Sequence, residues 1–470
     1  MKTTLFFRRT AVIGGAPAVA DFMAKEKGII AESSLPPTFT RLHTEYGALN
    51  QAGARHRASR KGMAPLFSGE SFAAFVPKID AALTGFVERL AGSDGAPVAV
   101  VPETKAFCLD LFAELFVGEP LTVAEREAFE SYNAALLSLD ARLPDFKRGL
   151  AALDSLQASV AGRLARWRAG QLPGARCFEI FTRNVDEAGA AWSDERVCTA
   201  CVLMIWGAYI EVASLMVHSV LMLGDQPAGR AAAAEILAEA EAAGVAAGAG
   251  AAGRLEAWSA KALPWTQGVL RETLRLLPPN GGGFRVASEA VEIAGFEIPA
   301  GWVVTADPRI GNASAEVRTA GRAAQVERDA ETDTRPPSMQ LFPQPATFGP
   351  ERWTESGEAP RGPEGAGGRG GCPFAAVAGS AASLPAGGWF PGGVGLHSCP
   401  GIPLAELVCR MFLVRWLEGV ESWERPPGDV AFVALPIKIP TDALELRITA
   451  RRAGAGASAG GGVGGPMTPP

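Results

Sequence analysis

A cysteine at the end of a glycine-rich loop is the residue in this sequence best suited to chemistry. The loop spans residues 389–401, and glycines at positions 392, 393 and 395 precede Cys399. Glycine lets the backbone approach a flat ligand closely. A helix is predicted directly after the loop, and its N-terminus favours a thiolate, which is a strong metal ligand. The alternative interpretation is a glycine-rich loop with a buried free cysteine.

Two charged motifs lie upstream of this loop. Glu272 and Arg275 are three residues apart, so they share one face of a predicted helix and can form an ion pair. Residues 348–353 form a turn that contains Arg352 beside a second acidic residue. Taken separately, these motifs are typical of surface ion pairs and turns. They become informative about function only together, in this order and followed by the cysteine loop.

Four side chains that can carry positive charge accompany these motifs. His56 and Arg60 are four residues apart on a predicted helix and therefore share a face. Arg285 follows three glycines, and His397 lies two residues before Cys399. Each of these side chains can form a strong, charge-assisted hydrogen bond with a carboxylate. The alternative for any one of them is a solvated surface charge.

The elements that must position these residues are mostly helical. Apolar residues at three- and four-residue spacing predict helices over most of residues 52–170, with a new helix beginning at Pro77. Ser193 is the predicted N-cap of a helix over 193–223, which is apolar on nearly every face and so belongs in the core. Further helices are predicted over 16–27, 262–277 and 402–418, short strands over 283–308, two strands over 3–14 joined at Arg8-Arg9, and a loop over 28–50.

The predicted fold class is mainly α with a minor β-sheet region, in a single large domain over residues 1–451. Segments rich in glycine, alanine, proline or charge interrupt it near 240–253, 312–340 and 355–388, where we expect insertions. Residues 452–470 are expected to form a disordered tail.

Composition excludes several classes of protein. The chain has 470 residues, is 48% hydrophobic and carries a net charge of −6, so a globular fold is expected and electrostatic binding of nucleic acid is not. Seven scattered cysteines do not form a disulfide framework, which favours a reducing compartment. No apolar run has the length of a membrane span or of a signal-peptide core.

Together and in this order, the motifs resemble the cytochrome P450 family of haem-thiolate monooxygenases over nearly the whole chain. The resemblance implies that Cys399 is the axial ligand of the iron of haem b, with Gly395 and Gly401 beside the macrocycle. It implies that the haem propionates bind His56, Arg60, Arg285 and His397. It also implies a structural network of Glu272, Arg275 and Arg352 that holds the cysteine loop in place.

The amino-acid sequence of residues 274–285 and 298–302 resembles that of one branch of the family, which contains retinoic-acid hydroxylases, cyanobacterial retinoid hydroxylases and plant steroid hydroxylases. The resemblance implies hydroxylation of a lipophilic isoprenoid (retinoid, carotenoid or sterol-like) with O₂. Electrons are expected from NADPH through a separate redox partner, either a cytochrome P450 reductase or a ferredoxin. The usual N-terminal anchor and first helix are expected to be missing. Membrane association is expected only through such a segment, at the endoplasmic reticulum or plastid.

The central helix departs from the family pattern. Gly207 and Ala208 keep the small pair that leaves room for dioxygen, but Ile210 and Glu211 stand where the family has an acid and a threonine. Glu211 is therefore either a substitute proton donor or a buried acid paired with a neighbour. Two alternative functions follow: a degenerate haem-binding protein, or a peroxide-dependent or isomerising haem-thiolate enzyme.

The cysteine loop also departs from the pattern. Gly392 stands where the family has a phenylalanine that shields the sulfur, and Phe390 would replace it only if the loop shifts. Pro400 removes one backbone N–H beside the sulfur.

Overall fold

The computed structural model describes residues 1–26, 28, 32–250, 252–280, 282–313, 346–354, 389–433 and 437–451. Helices dominate this part of the chain, as predicted. They are α1 Ala16–Lys25, α2 Pro37–His43, α3 Gly53–Met63, α4 Gly69–Ala91, α5 Val100–Val117, α6 Val123–Ala135, α7 Pro144–Arg168, α8 Arg176–Phe181, α9 Asp194–Asp225, α10 Pro227–Ala242, α11 Pro264–Leu276, α12 Pro308–Ala313 and α13 Ile402–Gly419. The strands are β1 Lys2–Leu5, β2 Arg8–Ile13, β3 Glu32–Ser33, β4 Pro97–Ala99, β5 Phe284–Val286, β6 Val291–Ile293, β7 Phe296–Ile298, β8 Val303–Ala306, β9 Val420–Glu424, β10 Phe432–Val433, β11 Ile439–Pro440 and β12 Glu445–Ala450.

Helix α9 lies at the centre of the fold, which confirms its prediction as a core helix. It packs against α5, α7, α10, α11 and α13. The Ser193 side chain accepts a hydrogen bond from the Arg196 N–H at 3.2 Å and caps the first turn. Among the described helices α9 alone has the length and apolar character of a membrane span, and the core buries most of that stretch. Its all-round hydrophobicity therefore reflects contact with other helices on nearly every side.

A mixed five-stranded sheet in the order β1-β2-β8-β5-β3 carries Arg285. Strand β5 is antiparallel to β8, with Arg285 opposite Val304, and β8 is parallel to β2. The predicted turn at Arg8-Arg9 is wrong, because Leu5 pairs with Arg8 and the chain reverses at Phe6 and Phe7. Both phenylalanines have positive φ, as a two-residue hairpin turn with the native twist requires.

Two other local predictions need correction. Pro77 lies inside α4 rather than at a helix start, because Ser68 caps that helix and buried residues on both sides of Pro77 hold it together. The loop predicted over 28–50 contains α2 and a short 3₁₀ turn. Within the segment 240–253, α10 extends to Ala242 and Val245 is fully buried, while most of the other described residues are exposed or half-buried. The other two expected insertions, apart from residues 312–313, and the tail lie outside the described residues.

Candidate active site

The cysteine loop folds back on itself immediately before α13. The Cys399 N–H donates to the Gly392 carbonyl at 2.7 Å, and the Gly401 N–H donates to the Cys399 sulfur at 3.3 Å. The cysteine is exposed, unlike every other cysteine in the described part of the chain. Pro400 has no N–H to donate to the sulfur, and the N–H of Gly401 provides one such hydrogen bond instead.

The sulfur faces charged groups on two other elements. Although the residue is exposed, the surrounding protein desolvates the Cys399 thiol and, with the carboxyl of Glu211 on α9, raises its pKa to about 11. The Gly401 N–H and Arg60 on α3 oppose this shift. The helix N-terminus predicted to favour a thiolate is therefore outweighed by desolvation and by Glu211. A metal that replaces the thiol proton would stabilise the thiolate, which the helix terminus alone does not achieve.

The wall of α9 that includes Glu211 is open. Gly207 is exposed and Ala208 is half-buried, although most of α9 is buried. A Cβ atom added to Gly207 would meet no other atom within 4 Å. Glu211 follows Gly207 by four residues and therefore shares its face. This face of α9 is thus unobstructed at Gly207, and Glu211 on it is near enough to the sulfur to affect the pKa of Cys399.

The two residues of α9 that depart from the family pattern differ in their environments. Ile210 is buried in the hydrophobic core. Burial raises the pKa of Glu211 to about 7, although a hydrogen bond with the Asn280 side chain opposes this shift. Glu211 therefore holds a proton near neutral pH on the open face of α9, and Ile210 contributes no polar group there.

Three of the four predicted cation-bearing residues form one buried cluster. The rings of His56 and His397 stack with their centroids 3.9 Å apart, and His397 Nε2 lies 3.0 Å from the Gln51 carbonyl. Arg285 is buried with them, and the fourth residue, Arg60, is near enough to influence His56. Burial lowers the pKa of His56 to about 3, with His397, Arg60 and Arg285 adding to the effect. His56 is therefore neutral in this arrangement.

A carboxylate that the sequence reasoning missed lies within this cluster. Glu26 follows α1 and accepts a hydrogen bond from the Leu396 N–H at 2.6 Å and from Arg285 Nε at 3.3 Å. A Cβ at Gly395, where φ is +70°, would overlap the Glu26 carboxylate. Glycine at 395 thus makes room for Glu26, in addition to any role beside a macrocycle. No motif signalled Glu26, because its partners are remote in sequence.

The structure brings Glu272, Arg275 and Arg352 together. Glu272 accepts hydrogen bonds from Arg275 Nη2 at 2.7 Å and from Arg352 Nε at 3.1 Å. The Gly349 N–H and the Trp353 indole also donate to it, at 3.0 and 2.9 Å. Glu272 and Arg275 are completely buried. The network joins α11 to the 3₁₀ turn at Pro350–Trp353, and the Trp353 ring packs against Trp389 at the start of the cysteine loop.

The aromatic shield expected near the sulfur is not supplied by Phe390. That ring is buried against Val19 and Ala306, on the side of the sheet. A Cβ added to Gly392 would lie 2.6 Å from an atom of Ile402, so a larger residue does not fit there without movement. The ring of Phe67 lies near the sulfur instead. A Cβ atom added to Gly401 would be 3.6 Å from the Cys399 sulfur and 3.6 Å from the Phe67 ring.

These residues fit a haem. A lone accessible sulfur faces an open stretch of α9, which suits a flat ligand bound between them. His397 Nδ1 is a buried nitrogen with no hydrogen-bond partner among the described residues, in a cluster with an arginine, which suits a propionate. One accessible cysteine sulfur, together with a group of side chains that can bind carboxylates, is the donor set that a haem-thiolate site needs.

Comparisons with known proteins agree with this geometry. No protein-family model matches the chain. A relative named putative cytochrome P450 120, from Synechocystis, is 26% identical over 95% of this chain and 88% of its own length. Human cytochrome P450 26C1 is 27% identical over 95% of this chain and 81% of its own length.

Solved structures show the same fold. The structure titled retinoic acid bound cyanobacterial CYP120A1 superposes with a TM-score of 0.78 and 23% identity, covering 96% of this chain and 91% of that one. The haem domain of cytochrome P450DA superposes with a TM-score of 0.74 and 15% identity, over 96% and 90% of the two chains. The chain has the cytochrome P450 fold in a single domain, and its relatives over nearly its whole length support a cytochrome P450 monooxygenase.

Proposed function

We propose that this cytochrome P450 hydroxylates a lipophilic isoprenoid of the retinoid type, with O₂ and with electrons from NADPH delivered by a separate reductase or ferredoxin. The observation that carries the proposal is that Glu211 of α9, on the same face as the unobstructed Gly207, is near enough to Cys399 to affect its pKa. The substrate class is supported by the relatives, one of whose structures has a title that names retinoic acid. Carotenoids and sterol-like molecules are the neighbouring candidates.

Each group of residues has a distinct role in this proposal. Cys399 binds the haem iron, and His56, Arg60, Arg285 and His397 hold the propionates. When bound, the haem supplies the activation of O₂ for insertion into a C–H bond. The network around Glu272 holds the loop that carries the sulfur, so it positions the ligand without touching it.

Glu211 is the proton donor on α9 for the activation of O₂ in this proposal. Its carboxyl is protonated near neutral pH because burial raises its pKa to about 7. Asn280 holds the carboxyl, and Gly207 leaves space beside it for a small molecule. A donor whose pKa lies near the working pH can both lose and regain its proton, which general acid catalysis requires.

A second candidate rests on Ile210. The family has an acid and a threonine at this point of α9. Here Ile210 is apolar and buried in the core, so Glu211 is the one polar group of the pair that remains. A peroxide-dependent or isomerising haem-thiolate enzyme needs fewer proton transfers from α9. A degenerate haem-binding protein would need none.

A carbon monoxide spectrum of the reduced protein tests the haem assignment. The wild type should show the red-shifted Soret band of a thiolate ligand, and Cys399→Ala should lose it. Cys409→Ala is the matched control, because Cys409 is a buried cysteine of α13 and should leave the band unchanged. A wild type without the band would reject both enzymatic functions.

Turnover and binding assays then separate the candidates. We expect a spectral shift on titration with retinoic acid at lower concentrations than with β-carotene or cholesterol, and product formation with NADPH and reductase. Product with hydrogen peroxide alone would favour the second candidate. Consumption of O₂ without product would indicate the degenerate protein.

A further inference from the structure

Glu26 is a buried acid that the proposed function does not use. Its side chain is 1% exposed, and it follows the last residue of α1. The carboxylate accepts from the Leu396 N–H at 2.6 Å and from Arg285 Nε at 3.3 Å, and it lies 3.6 Å from His397 Nδ1. It thus lies against two of the residues assigned to the haem propionates and the backbone of the cysteine loop at Leu396.

The charge of this cluster is smaller than the sequence suggested. His56 is neutral, because burial lowers its pKa to about 3. Burial opposes ionisation of Glu26, but the adjacent His397 side chain, the hydrogen bond from the Leu396 N–H and the charge of Arg285 outweigh it and lower the pKa of Glu26. The cluster therefore contains a fixed negative charge beside Arg285.

A haem brings two further carboxylates to the same cluster. Charges of like sign repel strongly where protein excludes water. The hydrogen bond from Arg285 Nε to Glu26 also occupies a donor that a propionate needs, and Glu26 lies 3.6 Å from His397 Nδ1, a second such group. Both effects oppose the binding of the propionates and favour the more positive, ferric state of a bound iron.

We propose that Glu26 is a third carboxylate of the propionate-binding cluster, where it competes with haem for Arg285 and His397, weakens haem retention and lowers the reduction potential of the iron. This inference rests on the assignment of haem to the site. It gives the N-terminal helix a direct influence on the cofactor, through a residue far in sequence from the cysteine loop.

The test compares the haem-loaded wild type with Glu26→Gln. Glutamine keeps the shape of the side chain and an oxygen for the Leu396 N–H, but it removes the charge. We expect transfer of haem to excess apomyoglobin to slow about tenfold, a difference of about 1.4 kcal/mol, and the reduction potential measured by spectroelectrochemistry to become more positive. Faster haem loss with an unchanged potential would overturn the proposal, because Glu26 would then only support the loop.

Two controls separate charge from structure. Glu26→Asp keeps the charge and should keep the wild-type potential; a shift equal to that of Glu26→Gln would also overturn the proposal. Asp80→Asn removes one of the two carboxylates that pair with the buried Arg415, at 2.7 Å between α4 and α13, and should change neither haem transfer nor potential. A wild type without the thiolate-type spectrum would instead reject the haem assignment, and this inference with it.

Discussion

At the scale of single residues, Glu211 has the property with the clearest physical consequence. An ordinary glutamate is ionised at neutral pH, but burial raises the pKa of this one to about 7. Between pH 4.5 and 7 the folded protein therefore binds a proton that the unfolded chain has released. Since stability falls with pH wherever the folded state binds more protons, Glu211 destabilises the fold progressively across this range.

Glu211→Gln should remove that dependence. We expect the variant to gain stability relative to the wild type from pH 4.5 to 7, by up to about 3 kcal/mol at about 1.4 kcal/mol per pKa unit. Urea denaturation of the haem-loaded proteins at several pH values measures this. Reductase-driven hydroxylation should be lost in the same variant. An unchanged hydroxylation rate would reject Glu211 as the proton donor, and parallel stability curves would contradict its raised pKa.

At the scale of elements, the network around Glu272 connects α11 to the segment that leads to the cysteine loop. One buried carboxylate accepts from two arginines, a backbone N–H and an indole. Such a network is costly to break, because removal of one partner leaves other charges buried and unpaired. The expected consequence reaches the loop through the contact of Trp353 with Trp389.

Glu272→Ala should lower the free energy of unfolding by about 3–5 kcal/mol. We also expect a lower haem content in the purified protein, read from the ratio of Soret to protein absorbance. Arg142→Ala is the control, because Arg142 pairs with Asp140 at 2.6 Å on the exposed surface, and it should match the wild type in both measurements. Equal behaviour of the two variants would show that the network does not support the loop.

At the scale of the whole molecule, stability depends on the packing around α9. Phe112 of α5 is completely buried in the main hydrophobic core, which α9 shares. Truncation of such a side chain costs the transfer energy of the lost atoms and leaves a cavity. The site itself does not include Phe112.

Phe112→Ala should therefore reduce the free energy of unfolding by about 3–5 kcal/mol while the position of the Soret band in the carbon monoxide complex stays unchanged. Phe7→Ala is the control, because the Phe7 side chain is 88% exposed, and its change should stay within about 0.5 kcal/mol. A shifted band in Phe112→Ala would indicate that core packing and the site are coupled more directly than the structure suggests.

Much of this protein is determined by local patterns in the sequence. The helical character, the Ser193 cap and the core position of α9 follow from periodicity and from the capping residue, which act within a few turns. The ion pair of Glu272 and Arg275 follows from helix geometry, and the resemblance of the ordered motifs identified the superfamily. Local patterns failed where packing outweighs them, as at Pro77 inside α4 and at the Phe6-Phe7 turn.

Tertiary structure alone decided the environment of each charge. Glu26 meets Leu396 across 370 positions of sequence, so no local pattern indicates that contact. The neutral His56, the nearly neutral pKa of Glu211 and the raised pKa of Cys399 likewise depend on burial by remote segments. Protonation is set by the solvent and charges that surround a group in three dimensions, whereas helix formation is set largely by neighbours along the chain.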